Sequence, residues 1–138
     1  MSRRDTYHYI VKDALIREGW TITHDPYTFD TEPQLMTDLG AERTIAAERG
    51  EEKIAIEIKS FLSVSQVVDL EKALGQYVLY KQLLRHQEPE RELYLAVPTH
   101  ALEGIFRQPV GRVVVEELDV KLIIFSISGT GELLWKST

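Results

Sequence analysis

The stretch Lys53-Ile54-Ala55-Ile56-Glu57-Ile58-Lys59-Ser60 constrains the fold more than any other part of the chain. Its isoleucines recur every second residue, the period of a β-strand, so Ile54, Ile56 and Ile58 share one face and Lys53, Ala55, Glu57 and Lys59 the other. Side chains two apart on a strand emerge about 6 to 7 Å from each other. Glu57 and Lys59 are therefore expected side by side at the end of an otherwise apolar strand. A carboxylate beside an ammonium in a partly dry site suits phosphodiester chemistry: the carboxylate can hold Mg2+ or Mn2+, while the lysine orients a water and meets charge developing on phosphate. The plain alternative is an ion pair at a strand end.

A metal site needs a further acid. Leu35 to Gly40 reads as a short strand ending in an acid, and Asp38 is the first choice for the second carboxylate. Glu42 competes with it, because the interval up to Glu57 is long enough for a bulge to turn either residue inward. Glu48, one residue from a turn, reads as a solvated hairpin charge. Residues 44–59 read as an antiparallel hairpin turning at Arg49-Gly50-Glu51-Glu52.

The rest of the chain supplies helices and further strands. Residues 5–18 form an amphipathic helix, with Asp5 as N-cap, Tyr7, Ile10, Val11, Ala14 and Leu15 inward, and Gly19 closing it. His8 lies beside that stripe, one turn before Lys12, and is kept as a candidate phosphate contact. Trp20 to His24 form a strand stopped by Asp25-Pro26. Ser63 and Gln66 have capping-box spacing before a long helix, 66–86, carrying Val67, Leu70, Leu74, Tyr77, Val78 and Leu84. A second row on it, Ala73, Gln76, Tyr80 and Leu83, includes an amide that can point toward Glu57 and Lys59. Glu92 to Val97 reads as a central strand, followed by short helices at 98–106 and 109–118, the latter with Val110, Val113, Val114 and Leu118 inward. Two strands, 121–126 and 132–136, close the chain as a hairpin.

With 138 residues, 43% hydrophobic and 28% charged, the sequence describes one globular domain, 1–138. The absence of cysteine excludes disulfides and thiolate chemistry and fits a reducing cytoplasm. No apolar run approaches a membrane span or a secretory leader, so a cytoplasmic location is expected. A net charge of -6 disfavours binding nucleic acid through its backbone alone. Scattered cations such as Arg3, Arg4, Lys12 and Lys59 leave DNA contact to a local patch, a metal ion or a partner.

The order of helix, antiparallel strands carrying Asp38 and Glu57-Ile58-Lys59, long helix with Gln76 and Tyr80, then strand resembles the restriction-endonuclease-like fold. That resemblance, to the PD-(D/E)XK superfamily, implies an α/β core in which a central mixed β-sheet is flanked by helices. It also implies a centre of Asp38, Glu57, Lys59 and Gln76, with Asp38 and Glu57 on the metal.

A closer resemblance covers nearly the whole chain. Ala14-Leu15-Ile16, Gly19-Trp20-Thr21-Ile22-Thr23-His24-Asp25-Pro26, Asp38-Leu39-Gly40-Ala41-Glu42, Ile54 through Leu62, Ala73-Leu74-Gly75-Gln76-Tyr77 and Glu88-Pro89-Glu90-Arg91 with Leu93-Tyr94-Leu95-Ala96 resemble the XisH family. The resemblance implies a cyanobacterial-type fdxN element excision controlling factor that works with an XisI-like partner and alongside a separate recombinase. Two functions follow as expectations, a Mg2+-dependent endodeoxyribonuclease or a non-catalytic accessory protein binding its partner and DNA. A homodimer is also expected, since one such centre cuts one strand.

Overall fold

The computed structural model describes residues 3–31, 44–128 and 131–136. Its elements run α1 (Arg3–Arg17), β1 (Thr21–His24), β2 (Thr44–Arg49), β3 (Glu52–Ile58), α2 (Gln66–Gln87), β4 (Arg91–Pro98), α3 (Thr99–Glu103), a 3-10 turn (Ile105–Arg107), α4 (Pro109–Glu116), β5 (Leu122–Phe125) and β6 (Leu134–Lys136). The strands form one mixed sheet in the order β1-β2-β3-β4-β5-β6. β3 pairs antiparallel with β2 and parallel with β4, β4 runs parallel to β5, and β6 returns antiparallel along β5. This is the expected α/β architecture, and its element order is consistent with the endonuclease-like core.

The period of two in β3 is realised residue by residue. Ile54, Ile56 and Ile58 join Ile45, Ala47, Ala96 and Ile123 in the core under α1, which contributes Val11, Ala14 and Leu15. Ala55 joins Ala46, Leu93, Leu95 and Val97 in the core under α2. Each isoleucine so buried contributes about 1.5 to 3 kcal/mol. Gly19, at φ +93°, ends α1 in the left-handed region that favours glycine.

Several local expectations shift. Asp5 lies inside α1, which begins at Arg3. The cap of α2 is Ser65, whose hydroxyl accepts from the Val68 N–H at 3.3 Å, and not Ser63. Gln66 instead accepts the Ile105 N–H at 2.9 Å, tying the start of α2 to the turn after α3. The buried face of α2 is Leu70, Ala73, Tyr77 and Leu84, whereas Val67 and Val78 are exposed. Gly111 and Val114 are the buried residues of α4, and Val110, Val113 and Leu118 face outward. A side chain at Gly111 would meet the backbone of Ile105 and Phe106, so that close approach sets the helix's rotation. The expected strand at 35–40 lies outside the described residues.

The beginnings of β3 and β4 are pinned by Arg91, which is 5% exposed. Its guanidinium donates to the Ile54 carbonyl at 3.0 Å and to Glu88 Oε1 at 3.0 Å. The hydrogen bond from Arg91 holds the Glu88 carboxyl below its ordinary value of 4.5, aided by the Tyr27 hydroxyl, which donates to Glu88 at 2.7 Å. A carboxyl depressed in the folded state stabilises above its unfolded pKa, and that contribution is lost as pH falls through the folded one. Glu88→Gln is therefore expected to cost about 1 kcal/mol near neutrality, since solvent screens the half-buried pair. Urea denaturation at neutral pH and well below 4.5 checks this; the gap between variant and wild type should close in acid.

Candidate active site

The sheet carries Glu57 where its sequence period puts it, facing α2 near the carboxyl end of β3. Its partners are Thr44 on antiparallel β2 and Leu95 on parallel β4. Glu57 is 2% exposed, among the few buried ionisable residues. Lys59 follows on the same face, its side chain 18% exposed and its Nζ 3.8 Å from Glu57 Oε1. That separation is an ion-pair contact, longer than a hydrogen bond. The Lys59 N–H donates to the Ala96 carbonyl at 2.9 Å, so the strand's ladder continues through the lysine and fixes its backbone. Open α/β sheets bind ligands beyond the carboxyl ends of parallel strands, which is where this pair lies.

The chain leaves β3 through an unusual corner. Phe61 is a buried non-glycine residue at φ +51°, with its ring edge-on to Phe106 at 5.7 Å. His100 on α3 places Nε2 3.1 Å from the Ser60 carbonyl and 3.0 Å from the Phe61 carbonyl. With a proton on Nε2 the ring donates to both and holds the left-handed corner directly after Lys59. The Thr99 hydroxyl, donating to the Phe125 carbonyl at 3.1 Å, anchors the neighbouring residue of α3.

On the α2 side, Tyr80 is half-buried, and burial together with the charge of Glu57 raises its phenol. Phe29 stacks on Tyr80 with centroids 4.5 Å apart. One turn earlier, Tyr77 is pushed up to about 12, first by burial. Its hydroxyl donates to the Leu93 carbonyl at 2.9 Å and accepts the Lys121 N–H at 3.1 Å, so Tyr77 tethers α2 to the sheet. Gln76 is exposed, the outward neighbour of Tyr77. Along the expected row, Tyr80 is half-buried while Gln76 is exposed to solvent.

His8 is placed elsewhere. It sits on α1, across the sheet from Glu57, 7% exposed, with Nε2 3.0 Å from Asp25 Oδ2. Lys12 Nζ donates to the same oxygen at 2.9 Å. Burial alone would raise the Asp25 carboxyl, but the hydrogen bonds from Lys12 and His8 hold it below its ordinary range. His8 therefore belongs to a clasp between α1 and the end of β1.

Asp38 and Glu42 lie outside the described residues. Among the described residues no group of three or more His, Asp or Glu side chains converges. Glu57 is a hard oxygen donor of the type Mg2+ or Mn2+ takes, and the described residues supply that one carboxylate of the expected pair. The sequence reading placed Tyr77 on the stripe of the long helix without a partner for its hydroxyl, and it missed Phe29 and His100. The only local signal was the aromatic, non-periodic segment Tyr27 to Phe29; a histidine meeting carbonyls some 40 residues away leaves none.

Comparison with known proteins bears on nearly the whole chain. The family described as "XisH protein" matches residues 1–131. An XisH family protein from Nostoc punctiforme PCC 73102 has a crystal structure with a TM-score of 0.84 at 38% identity, covering 94% of this chain and 98% of that one. A fdxN element excision controlling factor protein from Anabaena variabilis gives a TM-score of 0.82 at 36% identity, covering 95% and 98%. No curated protein matches the chain.

The corner after Lys59 is open to direct test. His100→Ala leaves two carbonyls without their donor and is expected to lower stability by about 1 to 3 kcal/mol. His100→Gln, which returns an N–H at similar reach, should recover more than half of that loss in urea denaturation.

Proposed function

Because this chain belongs to the XisH family, we propose that it acts in control of DNA element excision, with Glu57 and Lys59 as the working pair of a metal-dependent phosphodiester-cleaving centre. The observation that carries this reading is a carboxylate 2% exposed with an ammonium 3.8 Å away at the carboxyl end of a parallel strand. A buried charge is costly, and a fold retains one where it serves a purpose. The role in excision follows the name borne by the Anabaena variabilis relative.

In this reading Glu57 and Asp38, or Glu42 in its place, hold Mg2+ or Mn2+, which supplies Lewis-acid stabilisation of the phosphate when bound. Lys59 orients the attacking water and offsets charge on the phosphate as it develops. Its backbone, bonded into the sheet at Ala96, limits where the ammonium can travel. Gln76, exposed on α2, is suited to meeting a phosphate from the solvent side. Tyr80, raised by burial and by Glu57, stays a neutral hydroxyl donor at physiological pH.

The net charge of -6 supports a second reading, in which the same surface binds an XisI-like partner and DNA without cutting and assists a recombinase. The two part on one comparison. Purified wild-type chain is incubated with supercoiled DNA and Mg2+ or Mn2+, beside Glu57→Ala shown to be folded by circular dichroism. The nuclease reading expects cleavage that falls at least about 100-fold in the variant, with metal binding by calorimetry lost in parallel. Cleavage that survives the change overturns the assignment of Glu57. Absence of cleavage and of metal binding in the wild type leaves the accessory reading.

A further inference from the structure

The α1 face of the sheet is covered unevenly. α1 stops at Arg17, and where β3 and β4 begin that face opens as a recess of about 470 Å3. Its floor is aromatic and apolar: Ile54, Tyr94 and Trp135. Tyr94 meets Trp135 edge-on at 5.0 Å, and Trp135 stacks on the buried Trp20 at 5.8 Å. Tyr94 and Trp135 are only half-buried. Arg49 already lays its guanidinium over Trp20, 4.4 Å from the ring centre, so this cluster accepts a cation on its face.

The rim carries four glutamates, Glu51, Glu52, Glu90 and Glu92, against two cations, Arg49 and Lys53, and Glu92 is paired with Lys121 at 2.9 Å, which leaves an excess of one negative charge. Arg49 faces Glu52 at 3.4 Å and Lys53 faces Glu90 at 3.7 Å. Glu51 is exposed at the turn between β2 and β3, and no ion pair is made by it among the described residues. An acidic rim repels nucleic acid. Half-exposed Tyr and Trp ringed by charge are instead the composition of a protein-binding centre with a polar border.

We infer that this recess is a docking site for a basic segment of a partner protein, which lays an arginine or lysine against Tyr94 and Trp135 with its charge facing Glu51 and Glu90. The site is spatially independent of Glu57. Its β3 floor residue, Ile54, lies on the other face of the sheet and toward the other end of β3, three residues or about 10 Å along the strand from Glu57. A partner seated here leaves the Glu57 side open, so partner and nucleic acid do not compete.

The chain's two tryptophans, Trp20 and Trp135, both line the recess, so intrinsic fluorescence reports on it directly. The full chain is titrated with a short Gly-Ser peptide bearing several arginines, with the same peptide bearing glutamates, and with a short single-stranded oligonucleotide. A saturable emission change is expected with the arginine peptide alone. Glu51→Gln combined with Glu90→Gln should weaken it at least about fivefold. Glu116→Gln combined with Glu117→Gln makes the same charge change at exposed positions around the end of α4 and should leave it unaltered. No response to the arginine peptide, an equal loss in both double variants, or a response to the glutamate peptide or the oligonucleotide overturns the inference.

Discussion

Strand β3 is bordered by strands on both edges and covered on both faces, and that double enclosure is the constraint from which the rest follows. Between antiparallel β2 and parallel β4, its register is set on both sides. A slip of one residue would drive Ile54, Ile56 and Ile58 into the α2 core and expel Ala55 and Glu57 into the α1 core. The register held by three isoleucines on one face is thus what holds a carboxylate on the other. Packing and chemistry at Glu57 are consequences of one pattern.

Arg91 protects that register at the opposite end of the strand. Its side chain, 2% exposed, bonds to the Ile54 carbonyl and to Glu88 and also faces Glu48 at 3.7 Å. A guanidinium buried among strand starts is tolerable only with its donors engaged. The same Glu88 takes the Tyr27 hydroxyl, while Gln87 donates to the Thr28 carbonyl at 3.1 Å and accepts the Asp30 N–H at 2.7 Å. The end of α2 thereby grips segment 27–30, the aromatic stretch that stacks Phe29 on Tyr80 near Glu57. Strand pairing at one end is coupled to packing at the other through the length of α2.

What the sequence disclosed and what it hid follow the range of the interactions. β3 was legible because a strand's period is a local property, and it placed Glu57 and Lys59 on their observed face. The length of α2 was legible for the same reason, and so were Leu70, Tyr77 and Leu84 on its buried face. Val67, Val68, Leu70, Leu74, Val78, Leu79 and Leu83 spread apolar residues widely around the helix, so periodicity left its exact rotation open and put Val67 and Val78 on the stripe, where they are exposed. Tyr77 fixes the rotation by finding the Leu93 carbonyl and the Lys121 N–H, which leaves Gln76 exposed and Tyr80 half-buried. His8 read as a candidate phosphate contact beside a helix stripe, because its partner, Asp25, stands 17 residues away in the chain, beyond the helix.

The acidity of the chain is distributed, and the distribution shapes what nucleic acid can do here. Lys12 faces Asp25, Lys53 faces Glu48 and Glu90, Lys81 faces Asp119, Arg91 faces Glu88 and Lys121 faces Glu92. Cations committed to carboxylates of their own chain are less free to pair with phosphates, and each phosphate contact forgone lowers the counterion release that drives non-specific binding. A centre built on Glu57 and Lys59 would then act on nucleic acid that something else delivers. The acidic, aromatic recess at the far end of β3 has the chemistry to hold a basic partner. Separation of the two sites by the sheet lets the same rigid strand carry both.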